Sequence, residues 1–250
     1  MSSNEIVQEK QPLMQHVLAL RKVLLVSLGA AFVAFLLVFY LLCNPIMRFI
    51  TEPIARRGIE MIYTTVSEAL VTQLKVSLIG GIIAASPVIL WQIWTFVKPA
   101  LFEKERKSFR RWFFAALVLF LLGVVFCYTS VYSLAIDFFL VAGEDLATPM
   151  LSIDKYVSFL LSFMLPFGLA FQLPVAIYLT TKMGLTTAQS LASKRKYVIL
   201  IIFIAAAFLT PPDVVSQLLL ALPMLVLFEI GVFIARVVKP GEGREAKSAE

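Results

Sequence analysis

The chain consists mainly of long, unbroken runs of apolar residues rather than of alternating apolar and polar positions. A helix needs about 20 apolar residues to cross the hydrocarbon core of a bilayer, so such runs indicate membrane spans. The pattern predicts spans at residues 23–43, 76–97, 112–134, 156–181, 197–210 and 214–235. We therefore expect an all-α integral membrane protein with six transmembrane helices.

Two of these spans differ from a simple straight helix. Pro166 and Pro174 interrupt the fourth span, and we expect it to bend because proline removes a backbone N–H from the helix. The fifth run has only 14 residues, or about 21 Å against a hydrocarbon core of about 30 Å. It meets the sixth run at a turn, so we expect a short final hairpin that thins the bilayer or is covered by a partner.

The composition supports the membrane class and narrows the chemistry. Hydrophobic residues make up 60% of the 250 positions and charged residues 15%, with a mean hydropathy of +0.90. Soluble domains average roughly 45–50% hydrophobic and roughly 25% charged residues. Cys43 and Cys127 both lie inside apolar runs, which favours packing over a disulfide or a metal site. His16 is the sole histidine, so we expect no metal site and no cofactor.

Basic residues are distributed unequally between the two sides of the predicted bundle. With six spans, the amino terminus, the loop 98–111, the loop 182–196 and the carboxyl tail share one side, which holds 17 of the 22 Lys and Arg residues. The positive-inside rule therefore predicts that both termini are cytoplasmic. The tail at 240–250 is charged and lacks an apolar face, so we expect it to be disordered beyond a transmembrane domain at 1–239.

Residues 44–74, on the predicted outer side, are numerous enough to form short helices of their own. The tripeptides TEP at 51–53 and RRG at 56–58 are turn signals. Ser67 is a candidate N-cap for the helix that follows. We therefore expect an ordered outer cap.

Isolated polar residues inside membrane spans are costly and therefore informative. Gln172 lies near the predicted bilayer midplane, where it either forms an interhelical hydrogen bond or belongs to a translocation path. Glu229 lies two helical turns before Arg236. We interpret it first as a structural carboxylate that reaches the membrane interface, and second as a binding group.

The loop at 98–111 combines six basic residues with Glu103 and Glu105, directly after a span that ends in aromatic residues. The default interpretation is a basic loop that sets the topology. Alternatively, two carboxylates beside an aromatic step can receive a cationic peptide, because the arginine guanidinium pairs with carboxylate in a specific geometry.

Four segments resemble one family, TatC, the receptor subunit of the twin-arginine protein translocase. They are LTPPDVVSQLLLALPMLVLFEIG at 209–231, SPVILWQIWTFVKPALFEKER at 86–106, FGLAFQLPVAI at 167–177 and HVLALRK at 16–22. The last segment resembles an HLxELR element at the amino terminus of family members. The four occur in the family's order, and the resemblance runs through nearly the whole chain.

The resemblance implies a cytoplasmic site that binds the paired arginines in the signal peptides of folded cargo proteins. Its residues here are Glu105, Glu103, Phe96, Pro99, Leu20 and Arg21. One position departs from the family, because Ala19 stands where family members carry a second glutamate. The site therefore either relies on Glu103 together with Glu105 or binds more weakly.

The resemblance also implies partners, a location and an overall shape. Single-span TatA-type and TatB-type subunits dock at the start of the last helix, where Thr210, Asp213, Ser216 and Gln217 match the family. Gln172 matches a position that is Glu or Gln in the family. A concave bundle in the bacterial inner membrane, several copies per complex and transport driven by the proton-motive force are further implications.

Two other classes fit the residues less well. A secondary transporter typically has Gly- or Pro-broken helices in matching halves and several buried charges, whereas charged residues are nearly absent from the predicted spans here. A membrane enzyme needs a catalytic motif, and the sequence contains no HExxH, no GxSxG and no phosphate-binding Gly-rich loop. We therefore predict that the protein is not an enzyme.

Overall fold

A computed structural model of the protein describes residues 3–97, 109–143, 150–210 and 212–238. The candidate residues Pro99, Glu103 and Glu105 and the tail from 239 lie outside these ranges. Within them, nearly all residues are helical, so the prediction of an all-α protein is confirmed.

The first helix is much longer than the predicted span at 23–43. Helix α1 (Ser3–Leu37) passes through a π-helical segment (Val38–Leu42) into α2 (Cys43–Ala55) without a turn. The π segment lies just ahead of Pro45, which has no N–H to donate to the carbonyl of Leu41 four residues earlier. The helix therefore widens here instead of ending.

The turn expected at TEP, residues 51–53, is wrong, because Pro53 lies inside α2. A proline within a helix leaves unpaired the carbonyl four residues before it. That carbonyl belongs to Phe49 and accepts a 2.9 Å hydrogen bond from the hydroxyl of Tyr128 on another helix. The chain turns instead at RRG, where Gly58 has a φ of 73°.

The second and third helices are also longer than their apolar runs. Helix α3 (Glu68–Val97) begins directly after Ser67, eight residues before the predicted start, because polar residues in its first two turns find partners across the bundle. The third consists of α4 (Phe109–Phe126), a π-helical segment (Cys127–Tyr132) and α5 (Ser133–Gly143).

The fourth helix bends between its two prolines, as predicted. Helix α6 (Ile153–Ala170) ends and α7 (Leu173–Lys182) begins on either side of a turn at Phe171 and Gln172. Pro174 occupies the first turn of α7, where a missing N–H does no harm. The two halves therefore remain well-formed helices around the break.

A short helix, α8 (Ala188–Ser193), leads into the final hairpin of α9 (Arg195–Leu209) and α10 (Val214–Val237). Helix α9 has 15 residues, or about 22 Å at ~1.5 Å per residue. Helix α10 has 24 residues, which corresponds to about 36 Å. Only the first member of the hairpin is therefore short, since the apolar pattern of the second continues to Val237.

In the part of the chain that the structure describes, five helical stretches are long and apolar enough to cross a membrane: Leu18–Ala55, Glu68–Phe96, Arg110–Gly143, Ile153–Lys182 and Val214–Val237. Helix α9 is apolar but shorter. The large share of exposed apolar side chains on these helices fits a lipid environment, in which helices need not bury every apolar face.

Glycines allow the helices to approach closely at two crossings. A Cβ atom on Gly81 of α3 would lie 2.7 Å from the backbone of Phe35 in α1, and one on Gly123 of α4 would lie 2.7 Å from the carbonyl of Phe167 in α6. Small residues at such contacts are typical of membrane helix packing. Helix α6 forms the centre, where Val157, Leu160, Phe163 and Phe167 are almost fully buried.

The bundle has two ends, which we name from the predicted topology. The inner end is where α3 and α10 stop and α4 and α9 begin. The outer end carries the turn at Gly58 and a small parallel sheet in which β1 (Met61–Ile62) pairs with β2 (Leu151–Ser152). Together these elements form an ordered cap, although it contains no separate helix between residues 56 and 67.

Candidate functional sites at the two ends of the bundle

The antiparallel register of α1 and α3 brings predicted signal-peptide residues to one level at the inner end. Phe35 faces Gly81, and the thiol of Cys43 lies 3.8 Å from the carbonyl oxygen of Gln73. Extending this register by 15 residues toward the inner end places Leu20 level with Phe96. Leu20 is 45% exposed, Arg21 is exposed, and Phe96 is half-buried.

Aromatic packing holds both flanks of the loop 98–108 in place. Trp91 in α3 makes an edge contact with Phe113 in α4 at a centroid distance of 5.0 Å. Trp94 is buried in the hydrophobic cluster that contains Phe113. Trp112 stacks on Tyr178 of α7 at 3.8 Å. The end of α3 and the start of α4, on either side of the segment that contains Glu103 and Glu105, are therefore packed against each other and against α7.

Gln172 lies at the break in the fourth helix. Its Nε2 donates a 2.8 Å hydrogen bond to the carbonyl oxygen of Ala116 in α4. This is the interhelical bond that the structural interpretation requires. Because the turn at 171–172 interrupts the helical bonding pattern, the amide can connect α4 to the point where the fourth helix changes direction.

Glu229 pairs with an arginine from the neighbouring helix rather than with Arg236. Nη2 of Arg195, at the start of α9, lies 2.7 Å from the Glu229 carboxylate. The side chains are 41% and 51% exposed, respectively. The pair therefore connects α9 to α10 near the inner end and remains accessible to water and to partners.

The four predicted docking residues shape the turn between α9 and α10. Asp213 caps α10 by accepting a 2.6 Å bond from the N–H of Ser216. Thr210 bonds to the carbonyl of Ala206, and the Nε2 of Gln217 bonds to the carbonyl of Phe203 at 3.0 Å. Thr210 and Ser216 are buried, so the exposed surface here is formed by apolar neighbours.

The strongest polar cluster lies at the outer end, on residues that the sequence analysis did not select. The Glu68 side chain is buried and accepts five hydrogen bonds. The donors are the backbone N–H and hydroxyl of Thr64, the N–H of Thr65, the hydroxyl of Ser152 and the N–H of Asp154. One carboxylate thereby joins the loop before α3 to the start of α6.

A second contact reinforces this connection two turns further along α3. The ammonium of Lys75 lies 2.7 and 2.9 Å from the two carboxylate oxygens of Asp154 and 2.9 Å from the hydroxyl of Ser158. Thr72 also donates to Asp154, at 3.2 Å. The spacing of Glu68, Thr72 and Lys75 puts them on one face of a helix, which is the sequence signal that could have identified the cluster.

None of these groupings has the composition of a metal centre. Among the residues that the structure describes, no three His, Cys, Asp or Glu side chains come together as ligands. What the two ends offer is charge and hydrogen-bonding capacity, half-exposed at the inner end and largely buried at the outer end.

Fold and sites together define a multi-pass α-helical membrane protein. Residues 15–223 match the family described as Sec-independent protein translocase protein (TatC), and the chain belongs to this family. The resemblance found in the sequence is thereby confirmed.

Similar proteins cover nearly the whole chain. TatC of Carboxydothermus hydrogenoformans is 43% identical over 231 residues, 92% of this chain and 95% of the relative. TatC of Escherichia coli K12 is 38% identical over 243 residues, 96% and 94% of the two chains. A crystal structure of the twin-arginine translocase receptor TatC superposes with a TM-score of 0.83 at 38% identity, covering 89% of this chain and 98% of that one. These names indicate a role in protein transport rather than in catalysis.

Proposed function

We propose that this chain is the receptor subunit of a twin-arginine translocase, which binds twin-arginine signal peptides at the inner end of the bundle. The observation that carries the proposal is the match in sequence and fold to a twin-arginine translocase receptor over 89% of the chain. The arrangement at the inner end supports it, because Leu20 of α1 lies level with Phe96 at the end of α3, next to the segment that contains Glu103 and Glu105.

In this proposal, Glu105 and Glu103 bind the two adjacent guanidinium groups of the signal peptide. A charge-assisted pair of this kind is favourable at a partly desolvated membrane surface. Phe96 and Leu20 flank the loop with apolar surface for the hydrophobic part of the peptide. Pro99 is a further residue that the family resemblance assigns to this site. Arg21 has the same charge as the peptide, so its role is to orient the loop carboxylates.

Single-span TatA-type and TatB-type partners dock against the short helix α9 and the start of α10. The apolar side chains exposed here include Phe208 at 87%, Val214 at 69% and Leu222 at 54%. Because α9 is shorter than the bilayer core, a partner helix here covers a region that lipid fits poorly. Thr210, Asp213, Ser216 and Gln217 hold the turn in the shape that presents this surface.

The remaining features follow from the charge distribution and from the family. The excess of basic residues at the inner end supports cytoplasmic termini, with the bundle in the inner membrane of a bacterium. Several copies assemble with the partner subunits, and the proton-motive force drives export of the folded cargo. The protein itself catalyses no covalent reaction.

Site-specific photocross-linking tests the receptor role. A photoreactive residue is placed at Phe96, Lys104 or Arg106, which leaves both loop carboxylates in place, and membranes are offered a signal peptide with Arg-Arg or with Lys-Lys. We expect cross-links at these positions with Arg-Arg and their selective loss with Lys-Lys, since only guanidinium forms the bidentate pair. Glu105→Lys should abolish the cross-link from Phe96 while the protein still inserts.

A matched charge reversal serves as the control. Glu60 is exposed at the outer end, so Glu60→Lys should leave cross-linking unchanged. Cross-linking that survives Glu105→Lys, or that is equally strong with Lys-Lys, would contradict the proposed site.

A further inference from the structure

A cavity of about 550 Å³ opens at the outer end, between α2 and the second π segment. Its walls include Phe49, Glu52, Arg56, Arg57, Tyr128 and Ile136. It lies at the opposite end of the bundle from the proposed signal-peptide site. The polar cluster around Glu68 does not contribute to its lining.

Two guanidinium groups and one carboxylate line the cavity, and a second carboxylate lies beside it. Arg56 bonds through Nε and Nη2, at 3.2 and 2.6 Å, to a single carboxylate oxygen of Glu52. Arg57 pairs with Asp137 at the rim. The Arg56 pair is 75% and 51% exposed. Exposed pairs of this kind contribute little to stability, so they can rearrange around a ligand that offers both charges.

Aromatic and aliphatic groups form the rest of the cavity. Phe49 stacks on Tyr128 with ring centroids 4.7 Å apart, and the Tyr128 hydroxyl bonds to the carbonyl of Phe49, which fixes both rings. From here toward the middle of the bundle, exposed apolar residues continue along both helices, including Leu42 at 48% and Val125 at 56%. A charged cavity thus adjoins a surface suited to acyl chains.

We propose that this cavity binds the headgroup of an aminophospholipid such as phosphatidylethanolamine. The phosphate accepts hydrogen bonds from Arg56 and Arg57, whose guanidinium groups have more donors than their carboxylate partners use. The primary ammonium donates to the second carboxylate oxygen of Glu52 and to Asp137. The acyl chains lie on the exposed surface near Leu42 and Val125.

The balance of charge selects this lipid over two others. Phosphatidylglycerol carries the phosphate without an ammonium, so the two carboxylates oppose it. Phosphatidylcholine carries a quaternary ammonium, which has no N–H to donate. A cavity that was only cationic would not distinguish these lipids in this order.

Native mass spectrometry of the delipidated full chain tests the proposal. Phosphatidylethanolamine, phosphatidylglycerol and phosphatidylcholine with identical acyl chains are titrated separately. We expect phosphatidylethanolamine to bind about ten-fold more tightly than either of the others. The double variant Glu52→Gln/Asp137→Asn should remove this preference. Glu60→Gln, which changes an exposed outer carboxylate away from the cavity, should retain it.

A second measurement locates the bound lipid. Phe49→Trp introduces a reporter in the cavity wall, and phosphatidylethanolamine brominated near the headgroup end of its acyl chains should quench its fluorescence in vesicles. Quenching that is no stronger than with brominated phosphatidylcholine would overturn the proposal. So would tight binding of phosphatidylglycerol that only Arg56→Gln abolishes, because this defines a simple anion site. Equal binding of soluble glycerophosphoethanolamine would exclude the lipid as the source of the headgroup.

Discussion

Two ionic sites at opposite ends of this bundle use charge in opposite ways. At the outer end, Glu68 is 5% exposed and receives donors from residues 64, 65, 152 and 154. At the inner end, Arg195 and Glu229 form one contact between side chains that are 41% and 51% exposed. The Glu68 cluster therefore holds its own end of the bundle together, whereas the Arg195–Glu229 pair keeps its charges available.

The difference follows from the cost of removing charge from water. A buried carboxylate is tolerated only where donors replace its hydration, and each donor must then be held in position. Such a cluster fixes the loops that supply the donors. A half-exposed pair keeps much of its hydration and contributes little stability, so it can separate without strain when a partner arrives. A rigid cap and an adaptable binding end can therefore coexist on the same helices.

The largest expected effect comes from removing the outer carboxylate. Glu68→Ala removes the acceptor of five hydrogen bonds, one of them from the buried hydroxyl of Ser152, and a buried donor left unpaired costs more than the lost bond itself. We expect a large fall in the unfolding midpoint, measured by thermal unfolding in nanodiscs. Glu60→Ala, at an exposed outer position, is the control. Equal midpoints for the two variants would show that the cluster does not fasten the cap.

A smaller effect should follow from separating the helices that connect the two ends. Gly81→Val places side-chain atoms where the backbone of Phe35 already lies within 2.7 Å of a Cβ. Overpacking of this kind costs about 1–3 kcal/mol, measurable by reversible unfolding in mixed micelles. Gly29→Val makes the same change where nothing lies within 4 Å and should be nearly neutral. A comparable loss at both glycines would mean that helix propensity, not the crossing, determines the result.

The smallest effects should distinguish the two ion pairs directly. Double-mutant cycles compare Lys75→Met with Asp154→Asn and Arg195→Gln with Glu229→Gln. For Lys75 and Asp154, where the ammonium contacts both carboxylate oxygens, we expect a coupling energy of ~1 kcal/mol. For Arg195 and Glu229 we expect ~0.3 kcal/mol. Raising the salt concentration should weaken the inner coupling more. A stronger coupling at the inner end would reverse the comparison.

Much of the fold could be predicted from apolar runs alone, because length and hydropathy determine which segments enter a membrane. The break near Pro166 and Pro174 was predictable, because proline lacks the backbone N–H that a continuous helix uses. The continuation of the first helix through Pro53 was not, since it depends on Tyr128 supplying a hydrogen bond to the freed carbonyl of Phe49. That contact joins residues 79 positions apart, which local patterns cannot reveal.

The polar sites could also be predicted only in part, because their partners lie far away in the sequence. Gln172 could be selected because an amide in an apolar span is unusual, and its partner at Ala116 became visible only in three dimensions. Glu68 was missed because it lies in a polar segment, where an acidic residue near a helix start is ordinary. Its importance comes from Ser152, 84 residues away. The pairing of Glu229 with Arg195 likewise required the hairpin geometry.

The π-helical segments Val38–Leu42 and Cys127–Tyr132 determine where a residue could be deleted from a membrane span. Each residue of an α-helix turns the following side chains by about 100°, so deleting a single residue from most of α1 or α4 would rotate buried faces toward lipid. A π turn already contains one residue more than a regular turn. Shortening Val38–Leu42 or Cys127–Tyr132 by one residue can restore a regular helix while the flanking faces keep their orientation. These are therefore the positions at which a protein engineer could remove a residue from a span with least disturbance.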